Sequence, residues 1–146
     1  MIMKTACEAL RGILLVDDDP SMNYIHQLVL EEAGFEGRIR VREYAEQALD
    51  LLEPFSETNQ PDESGWFPDL IFLDINMPRM DGFEFLERFS AMPFSLRRQI
   101  KLVMLTTSLN PGEMELALGH EDVDAFMPKP MDEETLREIM EEVMGS

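Results

Sequence analysis

The stretch Gly12-Ile13-Leu14-Leu15-Val16-Asp17-Asp18-Asp19-Pro20 changes character at its centre, from an unbroken apolar run to three carboxylates and a proline. A short continuous apolar run closed by turn residues reads as a strand covered on both faces. Asp19 followed by Pro20 reads as a helix start, with a capping side chain ahead of a proline whose missing N–H the first helical turn does not need. A strand, an acidic turn and a helix therefore follow one another within a few residues.

Working outward, four more apolar runs occupy residues 38–41, 70–73, 101–105 and 123–127. The third and fourth are as continuous as the first, as central parallel strands would be. The second alternates Arg38, Ile39, Arg40, Val41 and Arg42, which suits an edge strand with one wet face. Helical patterns lie between the runs. Asn110, Pro111 and Glu113 repeat the logic of the first helix start. Asp132 opens a last helix whose Leu136, Ile139, Met140 and Val143 fall on one face. Gly34 and Gly82 mark helix boundaries. Strands alternating with helices five times predict an α/β fold, a doubly wound parallel sheet of five strands with helices on both faces. Residues 53–68 carry Pro54, Ser56, Asn59, Pro61, Ser64, Gly65 and Pro68 and read as one extended irregular connection, mobile or used for docking.

The 146 residues fit a single domain with a core of about residues 12–143. Thirty acidic residues against twelve Lys and Arg give a formal net charge of −18. Such a surface disfavours nucleic acid and anionic membrane, both of which require cationic side chains. Cys7 stands alone, so neither an internal disulfide nor a thiolate metal site can form. The first residues lack the apolar core of a secretory signal and no run is long enough to span a membrane. The expected setting is the cytoplasm.

In an open parallel sheet the site lies beyond the carboxyl ends of the strands. The residues there are Asp17 and Asp18, then Asp74, then Thr106 and Thr107, then Lys129. Singly, each has an ordinary structural explanation as a cap, a turn residue, a strand threonine or a surface lysine. Together they would crowd three carboxylates into one pocket, where two unit charges ~4 Å apart repel by about 4 kcal/mol at an effective dielectric of ~20. Such a cluster must protonate, spread or hold a cation. Oxygen ligands alone select a hard ion, and Mg²⁺ binds through one or two carboxylates, waters and phosphate oxygens. Asp74 could then act as nucleophile toward phosphorus. The Lys129 ammonium and the Thr106 hydroxyl would neutralise the transferring oxygens.

Asp17-Asp18-Asp19-Pro20 after Val16, DINMPRMDG at 74–82, LTTS at 105–108 and FMPKP at 126–130 resemble the response-regulator receiver family, the CheY-like proteins, over nearly the whole chain. The resemblance implies a flavodoxin-like strand order of 2-1-3-4-5 and a phosphorylation-dependent switch of a two-component system. It makes Asp74 the phosphoacceptor. Asp17, Asp18, Asp74 and the backbone carbonyl of Asn76 would ligate Mg²⁺. Thr106 becomes the switch hydroxyl, Lys129 the phosphate-binding lysine, Phe126 the switch aromatic and Pro130 a cis-proline. A sensor histidine kinase or a histidine phosphotransfer protein would be the donor, docking on Met22, Ile25 and Met131. The family gives no turnover of a separate substrate beyond self-phosphorylation and autodephosphorylation. Output would pass by contact to a downstream protein from a stand-alone receiver without an output domain, a monomer or weak dimer; a relay intermediate or phosphate sink is the alternative.

Some positions depart from the family pattern. Thr107 stands where a smaller residue is commoner, and Phe126 lacks the hydroxyl of the frequent tyrosine. His26 and His120 have no partner pattern and read as helix or turn residues. Met22, Met114 and Met131 could form an adaptable binding surface. An aspartyl-phosphate hydrolase would want a second acid at position 76, which is Asn76. A flavin-binding module would want Gly, Ser and Thr in its first loop, which is Asp17-Asp18-Asp19-Pro20.

Overall fold

In the computed structural model, which describes residues 10–35, 38–107 and 110–144, five strands and six helices follow one another along the chain. They are β1 (Ile13–Val16), α1 (Pro20–Glu32), β2 (Ile39–Arg42), α2 (Ala45–Thr58) and β3 (Leu70–Asp74). After these come α3 (Gly82–Ser90), a short α4 (Phe94–Arg97), β4 (Lys101–Thr106), α5 (Pro111–Leu118), β5 (Ala125–Pro128) and α6 (Glu133–Met144). The strands form one parallel sheet in the order β2-β1-β3-β4-β5. The expected architecture and strand order are both present. Cys7 and Ser108 lie outside the described residues.

Alternation along the strands builds two cores, because successive side chains leave opposite faces of a sheet. Leu14, Val16, Ile71, Leu73, Leu102 and Met104 face α2 and α3, meeting Leu52, Phe55, Phe85 and Phe89. Ile13, Leu15, Phe72, Val103, Leu105 and Met127 face α1 and α6, meeting Leu30, Leu136 and Met140. The edge strand β2 is half-buried at every position rather than alternating between covered and wet residues, although Ile39 and Val41 do pack on the core facing α1 and α6.

The helix starts follow the sequence. Asp19 accepts from the N–H groups of Ser21 and Met22, and Asn110 from those of Gly112 and Glu113. Asp81 and Glu84 form a reciprocal capping box at α3, and Asp132 accepts from Thr135 N at 2.7 Å. Gly34, at φ 104°, turns the chain out of α1. Two elements differ from expectation. The short helix α4, entered through Pro93, was not anticipated. The irregular segment expected at 53–68 begins only after Thr58, because α2 continues through Pro54 to a left-handed Asn59. Proline forfeits one intrahelical bond, but the buried Phe55 beside it packs on Trp66 and Phe67, and that contact carries the helix onward.

The rest of that segment is organised rather than loose. Asp62 Oδ1 accepts from Ser64 N, Ser64 Oγ and Trp66 N, and Trp66 O accepts from Asp62 N. Trp66 is buried, donates Nε1–H to Arg38 O at 3.0 Å and carries the Arg40 guanidinium over its ring at 4.2 Å. The indole lies so close over Gly12 that a Cβ there would overlap it. These contacts seal the amino-terminal end of the sheet.

Candidate functional site

At the opposite, carboxyl-terminal end the register aligns the chemistry. Val16 pairs with Leu73, so Asp17 and Asp74 follow side by side as each strand ends. Both are almost wholly buried, at 1% and 2% exposure, and Asp18 is half-buried. Asp17, Asp18 and Asp74 each offer a carboxylate oxygen within 4.8 Å of the other two. Thr106 ends β4 and is fully buried. Its carbonyl accepts from Lys129 N at 2.8 Å, which carries the lysine into the same pocket. The Lys129 side chain, 8% exposed, reaches Asp17 Oδ2 at 2.9 Å and Asp74 Oδ1 at 3.2 Å. The Lys129–Pro130 bond is cis.

The electrostatics follow from that crowding. Burial, reinforced by the negative Asp17, pushes Asp74 up to about 6, against the pull of Lys129 and the Asn76 N–H. Burial alone would lower Lys129, but its hydrogen bonds and charge contacts with Asp17 and Asp74 outweigh that and raise it. Lys129 is thus a fixed cation, and Asp74 is largely ionised at neutral pH. The donor set is all oxygen with no Cys or His, which suits a small hard divalent ion. One ammonium between three carboxylates leaves negative charge for such an ion to neutralise.

The neighbouring turn is built to hold Asp74 in place. Gly82 N donates to Ile75 O at 2.8 Å, and a Cβ on Gly82 would press on Asp74 O and Ile75 Cα. Only glycine lets α3 start this close to the strand end. Asp81 is a cap and takes no part in the carboxylate cluster. Asn76 is exposed, with its N–H 3.3 Å from Asp74 Oδ1. Thr107 is exposed, and Phe126 is half-buried on β5 against the core shared with α2 and α3.

One expected surface residue is not at the surface. Met131 is 2% exposed and belongs to the core between the sheet and α6, so its side chain cannot form a docking or adaptable surface. Its apolar character drives it inward as the chain turns toward α6. Met22 is half-buried and Ile25 is 41% exposed; Tyr24 and Leu28, also exposed, extend that apolar face of α1. His26, read as an ordinary helix residue, is buried and accepts at Nε2 from Met131 N at 3.1 Å. Buried Asn23 donates Nδ2–H to Asp17 O at 2.8 Å. His120 meets Ser90 Oγ at 3.3 Å and accepts at Nδ1 from Asp122 N, which makes it a turn residue.

Comparison with known proteins identifies the family. Residues 13–141 match the response regulator receiver domain, and the chain belongs to that family, the receivers of two-component response regulators. The chain is 29% identical, over 90% of its length and 79% of the relative's, to a probable methanogenesis regulatory protein, FilR2, of Methanothrix harundinacea. It is 35% identical over 85% of its length to the transcriptional regulatory protein CpxR of Escherichia coli, but spans only 45% of that protein. Among solved structures it superimposes on a chemotaxis response regulator, CheY4, of Vibrio cholerae with a TM-score of 0.71 and 25% identity, covering 92% and 99% of the two chains. It also matches a Mn²⁺-bound form of the response regulator Rcp1, with a TM-score of 0.66 and 25% identity over 90% and 91% of the chains.

Proposed function

We propose that this receiver is a phosphorylation switch whose Asp74 takes a phosphoryl group from a phosphohistidine on a sensor kinase or phosphotransfer protein. The observation that carries the reading is the convergence of Asp17, Asp18, Asp74, Thr106 and Lys129 at one end of one sheet. An Asp74 oxygen bonds to phosphorus as the P–N bond of the donor breaks, and the electron pair leaves on the imidazole. Asp17, Asp18 and Asp74 would hold Mg²⁺ with the Asn76 carbonyl, and the ion would neutralise carboxylates and a phosphoryl oxygen. Lys129 already sits between Asp17 and Asp74, where it can turn its ammonium to the incoming oxygens. The Thr106 hydroxyl, one strand away, donates to another oxygen and so carries the signal inward toward Phe126. Such chemistry is mostly positioning and charge neutralisation, which a rigid pocket supplies.

The donor docks on the exposed side of α1, where Tyr24, Ile25 and Leu28 lie together with Met22 at their edge. Output leaves through the face made by α5, β5 and α6, by contact with a downstream protein. The setting is the cytoplasm; among the described residues no helix is long and apolar enough to cross a membrane. Incubation with acetyl phosphate and Mg²⁺ tests the central claim by intact mass. A gain of one phosphoryl group is expected in the wild type and none in Asp74→Asn. Equal labelling of that variant would place the chemistry elsewhere.

A further inference from the structure

We propose that Asn23 and His26, one turn apart on the buried face of α1, are positioning residues for the phosphorylation centre, Asn23 for the Asp17 arm and His26 for the Lys129 loop. The inference rests on the phosphotransfer reading above. Both residues are polar and almost fully buried, at 4% and 1% exposure, in a helix face that continues into the apolar Leu30. Polar side chains in such a place cost stability unless hydrogen-bonded, and apolar ones of similar shape would serve packing as well. What they bond to is informative. Asn23 Nδ2 donates to the backbone carbonyl of Asp17 at 2.8 Å, the residue whose carboxylate joins the acidic cluster and grips Lys129. His26 Nε2 accepts from the N–H of Met131 at 3.1 Å, two residues beyond Lys129 in the loop that carries it.

The details exclude a packing role alone. Asn23 Oδ1 is buried with no hydrogen-bond partner among the described residues. An amide kept where one of its polar ends goes unsatisfied is kept for the other end. Reversing it would set two carbonyl oxygens against each other. For His26, a backbone N–H can only donate, so Nε2 must be bare and the neutral ring must carry its proton on Nδ1. One rigid helix thereby fixes two arms of the site that lie more than a hundred residues apart in sequence: the end of β1 and the loop after β5. Partners that orient metal and phosphate ligands in this way usually matter nearly as much as the ligands.

The two residues act on different arms, and this allows a test that a generally weakened fold would fail. Asn23→Leu, His26→Leu and His26→Gln would be compared with Val143→Ala, which trims the α6 core without touching the site. Gln can present a side-chain oxygen near the place of Nε2. Mg²⁺ affinity is read by calorimetry, beryllofluoride affinity at saturating Mg²⁺ by the same method, and Tm by circular dichroism. Asn23→Leu is expected to weaken Mg²⁺ binding roughly tenfold, the lower end of the range for partners of metal ligands. His26→Leu is expected to leave Mg²⁺ binding within about twofold but weaken beryllofluoride about tenfold, since small displacements of a phosphate-binding group are costly. His26→Gln should recover most of that loss. Nitrogen-15 NMR of the metal-free wild type should show His26 as the Nδ1–H tautomer, a readout that needs no variant to fold. Losses of both affinities that merely track Tm, as in Val143→Ala, would overturn the proposal, as would an Nε2–H tautomer or failure of Gln to rescue. A wild type that binds neither Mg²⁺ nor beryllofluoride would remove the phosphotransfer reading itself, and this inference with it.

Discussion

Asp74 and His26 respond to acid in opposite senses, and the signs follow from their surroundings. Burial and Asp17 hold Asp74 up at about 6 against an ordinary value of 3.8, so between these pH values the folded, metal-free protein binds more protons than the unfolded chain. Stability from this group therefore rises as pH falls from about 6. Burial, partly offset by the charge of Asp17, holds His26 down at about 4 against 6.5. Here the unfolded chain binds the extra proton, and stability is lost as pH falls through 6.5 toward 4. The two displacements are comparable and largely offset each other. Asp74→Asn is expected to expose the His26 dependence as a falling Tm between pH 6.5 and 4. His26→Gln, which does not titrate, is expected to expose the opposite slope; a pH-independent Tm in both variants would refute the assignment. Thr106→Ala addresses the switch rather than the acceptor. It is expected to keep labelling at Asp74 but to show smaller NMR shifts around Phe126 on adding beryllofluoride. One charge-assisted hydroxyl bond is worth about 1.5–3 kcal/mol, whereas a near-complete two-state shift needs about 5.5 kcal/mol. Lys129 must supply part of the rest.

Among the elements, α1 presents two unlike faces. Outward it shows Tyr24, Ile25 and Leu28, and inward it shows Asn23, His26 and Leu30. Ile25→Glu is expected to slow phosphotransfer from the cognate kinase roughly tenfold, in line with the loss of about 1.4 kcal/mol of docking energy. Labelling by acetyl phosphate should be unchanged, and equal loss in both assays would indicate misfolding instead. This helix also shows where sequence reading stops. The docking face read on Met22 and Ile25 says nothing of the opposite, buried face of Asn23, His26 and Leu30. Two of its three members are polar, so hydrophobic periodicity could not reveal it. Their partners are a carbonyl and an N–H that carry no side-chain signature. By contrast Asp17, Asp18, Asp74, Thr106 and Lys129 were legible because apolar runs place strand ends, and strand ends place the site. The continuation of α2 through Pro54 was not legible, since the contact that sustains it, Phe55 on Trp66, joins residues eleven apart through a turn.

Across the whole molecule, the sheet has an acidic end and a sealed end. The three carboxylates and Lys129 occupy the first, and Gly12, Trp66, Arg38 and Arg40 close the second. Gly12→Val is expected to destabilise the fold by about 1–3 kcal/mol, as overpacking does, because a Cβ there overlaps both the indole and the Phe67 carbonyl oxygen. Denaturant unfolding would show it, and an unchanged midpoint would mean that the lid yields freely. The net charge of −18 adds a background of self-repulsion that salt should screen.

The seal also decides what light can report. Trp66 is the single tryptophan in the chain, so all indole emission comes from the end of the sheet remote from Asp74. Its wavelength follows melting of that end, and a phosphoryl group arriving at the other is expected to leave the spectrum still. Emission that moves on phosphorylation would therefore be a message relayed along the strands themselves, and a tryptophan placed near Phe126 would be needed to watch the switch at its source.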